Sequence, residues 1–466
     1  MSSSKELETE LIAVKSDRDN VLQRISSVDE REEKFKQEIL VLNEVRKTLH
    51  NRVMQLSGNI RVFVRVRPLI SSEMRSLEKQ NSTSLGNPIS NTPRKVARKS
   101  LSSRPSLDGI GSNASLLRRK ECNNKSDKSH LSPFHFPDVS HRNINATSSS
   151  SCNDLTKNLI ELIEPANRKD RGGLKERLKR HRFGFDGIFS PADDQLAIWK
   201  GVEPLVQSAL DGYNATIFAY GQTGSGKTYT MLGINGSNPQ DEGIIIRSIK
   251  KVFCSKRDIE TASTNQRMMI GIEMIEIYNE KIRDLLEKEN MGTSDNSGER
   301  VVLEVDDEDD VFKLLAVAQQ RRCVRSTLSN KESSRSHLLF TIHLSLLSDE
   351  NEIRYSKLNV CDLAGSERLA KSGSVGVSLN ETKNINSSLS TLSNVIEKLQ
   401  AGSSHVPFRD SKLTHLLKDS LTNDSKTLAI VCCNPLPEHY NESLCSLRFA
   451  SKVAKVELKA KAAIDI

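Results

Sequence analysis

Apolar positions recur every seven residues through the first part of the chain. One series is apolar at every member from Leu7 to Leu56, and a second series, from Leu11 to Val53, is apolar at four of its seven members. This repeat predicts a helix over 5–57 that pairs with another helix in a coiled coil, because supercoiling buries a narrow apolar stripe. A single amphipathic helix packed on its own domain is the alternative. The charged members of the second series predict a marginal dimer.

Beyond Gly58 the periodicity changes from helical to alternating. Residues 59–68 alternate apolar and polar side chains and end at Pro68, which predicts a strand. Apolar runs separated by helical stretches predict further strands at 215–221, 268–278, 337–346, 357–365 and 427–434. This alternation predicts an α/β fold with a central, mostly parallel β-sheet flanked by helices on both faces.

A polar, basic stretch interrupts this pattern after the first strand. Residues 76–152 are rich in Ser, Asn, Lys and Arg, which predicts disorder because too little apolar surface is available for burial. In the next segment four apolar residues fall on one face of a predicted helix: Leu155, Leu159, Leu162 and Ile163. We therefore expect a largely disordered basic insert at about 76–180, which is either a neutral spacer or a tether to an acidic partner.

Composition restricts the classes of function. The chain of 466 residues carries a formal net charge of +8, which indicates an acidic partner or simply a soluble basic protein. Its eight cysteines form no CxxC pair, so neither a disulfide framework nor a zinc site is expected, and a reducing compartment is favoured. The apolar runs are too short for a signal or a membrane span, so we expect an intracellular protein without membrane contact.

One glycine-rich segment carries a phosphate-binding motif. GQTGSGKT fits G-x-x-x-x-G-K-[ST] and lies between a predicted strand and a predicted helix. Its glycines let backbone N–H groups face phosphate oxygens, while Lys227 and Thr228 supply a positive charge and a ligand for Mg²⁺. The motif predicts a nucleoside triphosphate site formed by Gly221, Gln222, Thr223, Gly224, Ser225, Gly226, Lys227 and Thr228.

Two further motifs indicate a site that responds to the terminal phosphate. In DLAGSER (362–368), Asp362 follows an apolar strand and suits the Mg²⁺ shell, while Gly365 lets a backbone N–H approach the γ phosphate. NKESSRSH (330–337) places hydroxyls and an arginine in a short polar loop. Either motif alone is also consistent with a capped turn, but their occurrence beside a phosphate loop favours nucleotide sensing.

Taken together, these motifs resemble the kinesin motor domain over about 58–457. The resemblance also rests on RVRP (65–68), AYGQTGSGKTYTM (219–231), VPFRDSKLTHLLKDSL (406–421) and LRFASKV (447–453), all in the family's order. It implies a P-loop NTPase fold and a microtubule-stimulated ATPase that uses ATP and Mg. A coiled-coil helix at 1–57 would precede this domain, and a short tail at 458–466 would follow it.

The resemblance implies roles for individual residues. The adenine would be lined by Arg65, Pro68 and Tyr229. The two switches would be formed by Ser333, Ser334 and Arg335, and by Asp362, Gly365 and Glu367. Thr228 and Ser334 would bind Mg²⁺, with Asp362 binding through water, and Arg335 would pair with Glu367 when the cleft closes. Closure would position and polarise the attacking water.

The resemblance also implies a surface that binds the track. Its members would offer basic side chains to acidic tubulin: Lys383, His405, Arg409, Lys412 and Lys418. The sequence departs from the family in NINSSLS, where Ser387 stands at a position that is often basic. Weaker binding to the track, or compensation by the basic insert, is the consequence we expect.

The order of the segments resembles the kinesin-14 class. The predicted coiled coil precedes the motor, and the 13 residues after Val453 leave no room for a second coil. Members of that class mostly move toward microtubule minus ends, so the resemblance implies a homodimeric, minus-end motor on cytoplasmic microtubules that does not bind nucleic acid. A nonmotile, nucleotide-regulated crosslinker of microtubules and a P-loop enzyme of another class are the alternatives.

Overall fold

A computed structural model describes most of the chain. The described residues are 2–56, 58, 60–76, 132–137, 158–165, 179–234, 238–262, 266–287, 300–328, 334–347, 353–367, 377–422 and 425–456. The predicted tail at 458–466 lies outside them, as do Ser333 and most of the basic insert.

The first element is the predicted long helix, α1 (Ser2–Leu56). The apolar stripe faces solvent along α1, with Val14, Phe35 and Leu49 each more than half exposed. The final turns differ, because Met54 is buried in the core of the domain that follows. The helix is therefore confirmed, while its pairing in a coiled coil stays a prediction.

Within the described ranges, twelve strands form two sheets. They are β1 (Ile60–Val66), β2 (Phe134–His135), β3 (Leu159–Ile163), β4 (Arg180–Gly184), β5 (Gly187–Phe189), β6 (Ala215–Tyr220), β7 (Arg267–Tyr278), β8 (Lys281–Asp284), β9 (Leu303–Val305), β10 (His337–Leu347), β11 (Ile353–Asp362) and β12 (Lys426–Cys433). The large sheet has the order β5-β1-β12-β6-β11-β10-β7-β8, with β9 also paired to β7. All six strands predicted from apolar patterning are present.

The large sheet is mixed rather than mostly parallel. Strands β5, β1, β12, β6 and β11 are parallel, whereas β10 pairs antiparallel with both β11 and β7, and β7 pairs antiparallel with β8 and β9. The connections explain the difference, since β7–β8 and β10–β11 are joined by loops too short for a crossover. The β7–β8 turn uses Asn279 and Glu280 at positive φ, which suits a tight hairpin.

Helices cover both faces of the large sheet, as predicted. They are α2 (71–76), α3 (Gln195–Leu210), α4 (Lys227–Met231), α5 (Ile244–Ala262), α6 (Glu308–Leu328), α7 (Val377–Gln400), α8 (Lys412–Leu416) and α9 (Tyr440–Val453). One core includes residues of α3, α5 and α6, and the other includes residues of α7, α8 and α9. Among the described helices, none combines the length and apolar character needed to cross a bilayer.

The insert contributes to a small second sheet of order β2-β3-β4. The helix predicted around Leu159 and Leu162 is wrong, because these residues belong to the central strand β3. Ile160 and Leu162 are buried, and the equally buried Glu161 forms a side-chain hydrogen bond with Arg182. Apolar spacing over five residues fits either a strand or a helix, and packing decided for the strand. Leu155 lies outside the described residues.

Candidate nucleotide site

The phosphate loop, residues 221–228, joins β6 to α4 and depends on its glycines. Gly221, Gly224 and Gly226 all have positive φ. A Cβ at Gly221 would lie 2.2 Å from the carbonyl oxygen of Cys432, so no larger residue fits there. The chain can therefore turn sharply at the end of the strand and present its backbone amides at this edge of the sheet.

Lys227 is buried beneath this loop. Its Nζ donates hydrogen bonds to the carbonyl oxygens of Gly221 and Gln222, at 2.8 and 3.0 Å. Burial lowers the pKa of Lys227, and the carboxylate of Asp362 opposes that shift. The loop thus holds an ammonium group where the motif requires a positive charge for phosphate.

Thr228 and Asp362 meet at the edge of the phosphate loop. Thr228 Oγ1 donates to Asp362 Oδ2 at 2.6 Å, while the other oxygen, Oδ1, is buried without a hydrogen-bond partner among the residues that the structure describes. Burial raises the pKa of Asp362, and Lys227 opposes that shift. A hydroxyl and a carboxylate oxygen in reach of bound phosphates are the donors that Mg²⁺ prefers, so these residues fit the predicted metal.

The switch II loop, residues 362–367, is held between the phosphate loop and the switch I segment, residues 334–336. Its four consecutive amides are divided between the two sides, the outer two on one and the inner two on the other. Leu363 N and Ser366 N donate to Ala219 O and Gly221 O, at 3.3 and 3.1 Å. On the other side, Ala364 N donates to His337 Nδ1 at 3.1 Å and Gly365 N donates to Ser334 O at 2.9 Å. The three segments predicted to sense the phosphate are therefore in direct contact.

Glu367 contacts the phosphate loop from the other end of the switch II loop. Its carboxylate accepts hydrogen bonds from the backbone N–H of Thr223, at 2.8 Å, and from the Thr223 hydroxyl. The predicted pairing of Glu367 with Arg335 on closure stays a prediction, as does the role of Ser334 as a Mg²⁺ ligand.

A buried carboxylate that the sequence motifs did not reveal supports the switch I segment. Ser336 Oγ donates to Glu276 Oε1 at 2.6 Å, and Arg322 Nε donates to the same oxygen at 3.2 Å. Glu276 lies in β7 and is almost completely buried. An acidic residue inside the apolar run MMIGIEMIEIY was the available signal, because a buried charge requires partners.

The residues predicted to line the adenine lie together. The guanidinium of Arg65 stacks over the Tyr229 ring, 5.2 Å from its centroid, and donates to Gln195 Oε1 and Thr230 Oγ1, each at 2.8 Å. Gln195 Nε2 in turn donates to Tyr229 O at 2.6 Å. Gln195 thus links two of the three predicted adenine residues, a function that its place at the start of α3 did not indicate.

Arg67 connects the first strand to the phosphate loop. Its Nε donates to Gly224 O at 2.6 Å, and another guanidinium nitrogen donates to Pro68 O at 2.9 Å. Glu73, in α2, binds the same guanidinium through both carboxylate oxygens. Arg67 therefore fixes the position of Pro68 relative to the phosphates, although sequence reasoning assigned it no role.

Four of the five predicted track-binding residues occupy one exposed region that begins after α7 and ends just beyond α8. His405, Arg409, Lys412 and Lys418 are all exposed. Three of them, His405, Arg409 and Lys418, line a shared groove, and the backbone N–H of Lys412 donates to Glu280 Oε2 at 2.7 Å. The side chain of Lys383 lies outside the described residues, and Ser387 is exposed.

Comparisons with known proteins agree with this geometry. The family model "Kinesin motor domain" matches residues 139–456. The chain is 44% identical over 305 residues to Kinesin-like protein KIN-14M of Arabidopsis thaliana, which covers 61% of this chain and 40% of that protein. It is 36% identical over 447 residues to Kinesin-like protein KAR3 of Saccharomyces cerevisiae, covering 91% and 50% of the two chains. The chain thus spans half or less of these relatives.

Solved structures give the same assignment. The C-terminal motor and motor homology domain of Kar3Vik1, fused to a synthetic heterodimeric coiled coil, aligns with a TM-score of 0.65 and 34% identity, covering 96% of this chain and 98% of that chain. The motor domain of the Saccharomyces cerevisiae protein Kar3 aligns with a TM-score of 0.57 and 35% identity, covering 85% and 99%. Motifs, fold and comparisons agree that this chain belongs to the kinesin motor-domain family, in its kinesin-14 class.

Proposed function

We propose that the chain is a microtubule-stimulated ATPase whose hydrolysis cycle drives movement along microtubules. The observation that carries this proposal is the switch II loop, whose amides are shared between the phosphate loop and the switch I segment. A loop held in this way responds to a terminal phosphate, and it leads along the chain toward α7 and the exposed basic region. A change at the nucleotide can thereby reach a tubulin-facing surface.

The residues of the site suit phosphoryl transfer to water. ATP bound here would supply the γ-phosphoryl group, and Mg²⁺ would neutralise its oxygens. Lys227 places a cation beside the phosphate loop, while Thr228 and Asp362 would hold the metal shell. For the Gly365 N–H to donate to the γ phosphate, it must first leave Ser334 O, to which it donates at 2.9 Å. Closure then brings Arg335 to Glu367 and orients the attacking water.

The final turns of α1 support a role for this helix as a lever. Arg46 forms a two-pronged ion pair with Asp211, at 2.8 and 3.2 Å, and Lys426 Nζ donates to Asn51 Oδ1 at 2.7 Å. Met54 adds apolar burial at the same junction. A stiff helix fixed at one end to the motor amplifies small changes at that junction, and we propose that its swing moves the motor toward the minus end.

The exposed stripe of α1 supports dimerisation. Val14, Val21, Phe35 and Leu42 leave more apolar surface in water than a monomeric helix normally does. We propose that a second copy of this chain covers the stripe and that the dimer works on cytoplasmic microtubules. A mass measurement on the purified complex tests this, and a mass of two identical chains is expected. The similar structure is fused to a heterodimeric coiled coil, so a complex with a different chain is the alternative outcome.

A gliding assay on polarity-marked microtubules tests motility and direction together. The purified chain, attached through its N-terminal helix, is expected to move microtubules with their plus ends leading, which corresponds to minus-end motion of the motor. A Lys227→Ala variant is the control and should not support movement. Static binding by the active protein would favour a nonmotile crosslinker, and movement with minus ends leading would overturn the proposed direction.

A further inference from the structure

His337 is a buried imidazole that contacts two separate functional elements. It is the first residue of β10, directly after the switch I segment, and it is 2% exposed. Its Nδ1 accepts the backbone N–H of Ala364 at 3.1 Å, and its Nε2 lies 3.0 Å from the hydroxyl oxygen of Ser388 in α7. Ser388 is equally buried, so the ring spans the gap between the switch II loop and α7.

These contacts determine the protonation of the ring. The amide of Ala364 can only donate, so Nδ1 carries no hydrogen, and Nε2 carries the hydrogen that it donates to Ser388. Burial lowers the pKa of His337 to about 3, with Lys227 adding to the shift. The neutral ring with both nitrogens bonded is therefore a rigid link between the two elements throughout the neutral pH range.

The hydrogen bond from Ala364 to His337 lies next to the amide that is proposed to sense the phosphate. Ala364 immediately precedes Gly365, whose N–H must exchange Ser334 O for the γ phosphate in the proposed cycle. The neighbouring amides of Leu363 and Ser366 are held by the phosphate-loop side. A shift of α7 at Ser388 would therefore reach the phosphate-sensing amide through the His337 side chain.

We propose that His337 is a positioning residue that couples α7, a helix of the predicted track-binding face, to the switch II loop. This inference rests on the proposed motor function. Ser388 provides the contact on the α7 side, and the backbone N–H of Ala364 provides the contact on the nucleotide side. If His337 were purely structural, its loss would lower stability and ATP turnover alike with and without microtubules. If it couples the two elements, its loss should lower mainly the stimulation of turnover by microtubules.

Two substitutions at His337 separate its two bonds. His337→Asn keeps an acceptor near Nδ1 for Ala364 but cannot reach Ser388. His337→Gln keeps a donor near Nε2 for Ser388 but leaves the Ala364 N–H without its acceptor. Ser388→Ala removes the contact from the α7 side, and Ser390→Ala, an exposed serine two residues away, is the matched control. ATP turnover is measured for each protein with and without microtubules, together with thermal unfolding.

In Ser388→Ala and His337→Asn we expect the microtubule-stimulated kcat to fall about tenfold, as loss of one buried hydrogen bond implies. The KM for microtubules should stay within about twofold because the exposed face is unchanged. Turnover without microtubules should be unchanged in Ser388→Ala and Ser390→Ala, while His337→Gln should alter it. Two results would overturn the coupling alone. In the first, stimulated and unstimulated turnover fall together in Ser388→Ala. In the second, Ser388→Ala and His337→Asn both keep full stimulation. A wild type without stimulation would overturn the motor function and the coupling with it.

Discussion

Gln195 offers a direct test of how the adenine side of the site is built. It is 3% exposed and makes two hydrogen bonds, accepting from Arg65 and donating to Tyr229 O. Gln195→Leu would leave a buried guanidinium donor and a backbone carbonyl without these partners. A hydrogen bond to a charged group contributes about 1.5–3 kcal/mol and a neutral one about 0.5–1.5 kcal/mol, so we expect the free energy of unfolding to fall by about 2–4 kcal/mol. Arg65 keeps its bond to Thr230, which limits the loss.

Urea unfolding followed by circular dichroism measures the stability, and titration with a fluorescent ATP analogue measures affinity. Gln195→Glu is the matched variant, because it keeps an acceptor for Arg65 but has no N–H for Tyr229 O. We expect Gln195→Glu to retain more stability than Gln195→Leu, and both to bind ATP more weakly than wild type. Unfolding of Gln195→Leu within about 0.5 kcal/mol of wild type, the usual range for surface changes, would refute the assigned contacts.

Three further predictions concern other parts of the site and its junction with α1. Lys227→Ala and Glu367→Ala should each lower stimulated ATP turnover at least about a hundredfold, because each removes a group positioned for phosphoryl transfer; normal turnover in either variant would contradict the site assignment. Glu73→Gln weakens the ion pair that positions Arg67, so the dissociation constant for ATP, measured by fluorescence, should rise about three- to tenfold. An unchanged constant would show that Arg67 does not contribute to the site. His50 Nε2 lies 3.0 Å from Pro204 O, and burial lowers the pKa of His50. Because the imidazole binds a proton more readily when α1 is detached, docking of α1 should weaken as pH falls below about 6.5. Hydrogen exchange over 46–56 should show this loss in wild type and not in His50→Gln; equal pH dependence in both would exclude His50.

Local sequence signals were sufficient for the elements that carry strong patterns. The run from Ala215 to Tyr220 followed by three glycines predicted both a strand and a phosphate loop, because each requires an unusual composition. The motifs also predicted which of these segments lie together, and their contacts are present at Thr228–Asp362 and Gly365–Ser334. At these positions the residues that define the sequence motifs are the same residues that make the tertiary contacts.

Features that depend on distant packing were not available from the sequence. The spacing of Leu159 and Leu162 fits a helix as well as a strand, and only pairing with β2 and β4 distinguishes them. The antiparallel half of the large sheet depends on which strands become neighbours, which apolar patterning does not encode. Likewise Gln195 and His337 act through partners more than 25 residues away. The start of α3 gave no sign of the first, and the NKESSRSH motif, which ends at His337, did not indicate the partners of the second.

Arg46 makes a contact that periodicity alone does not indicate. In the seven-residue repeat it was a charged member expected to weaken the dimer. The structure places its guanidinium on Asp211 of the motor, so this position contributes to docking of α1. The end of the helix therefore has two different faces, an exposed apolar stripe, for which we propose a partner helix, and a polar face that contacts the motor.

In the proposed cycle, one pocket senses the terminal phosphate and communicates with a microtubule-binding surface. The most direct test is the steady-state rate of ATP hydrolysis by the purified chain, measured as microtubule concentration increases. We predict a rate that rises at least about tenfold and saturates, while Glu367→Ala remains at its unstimulated rate. An active wild-type protein whose rate does not change with microtubules would contradict the account.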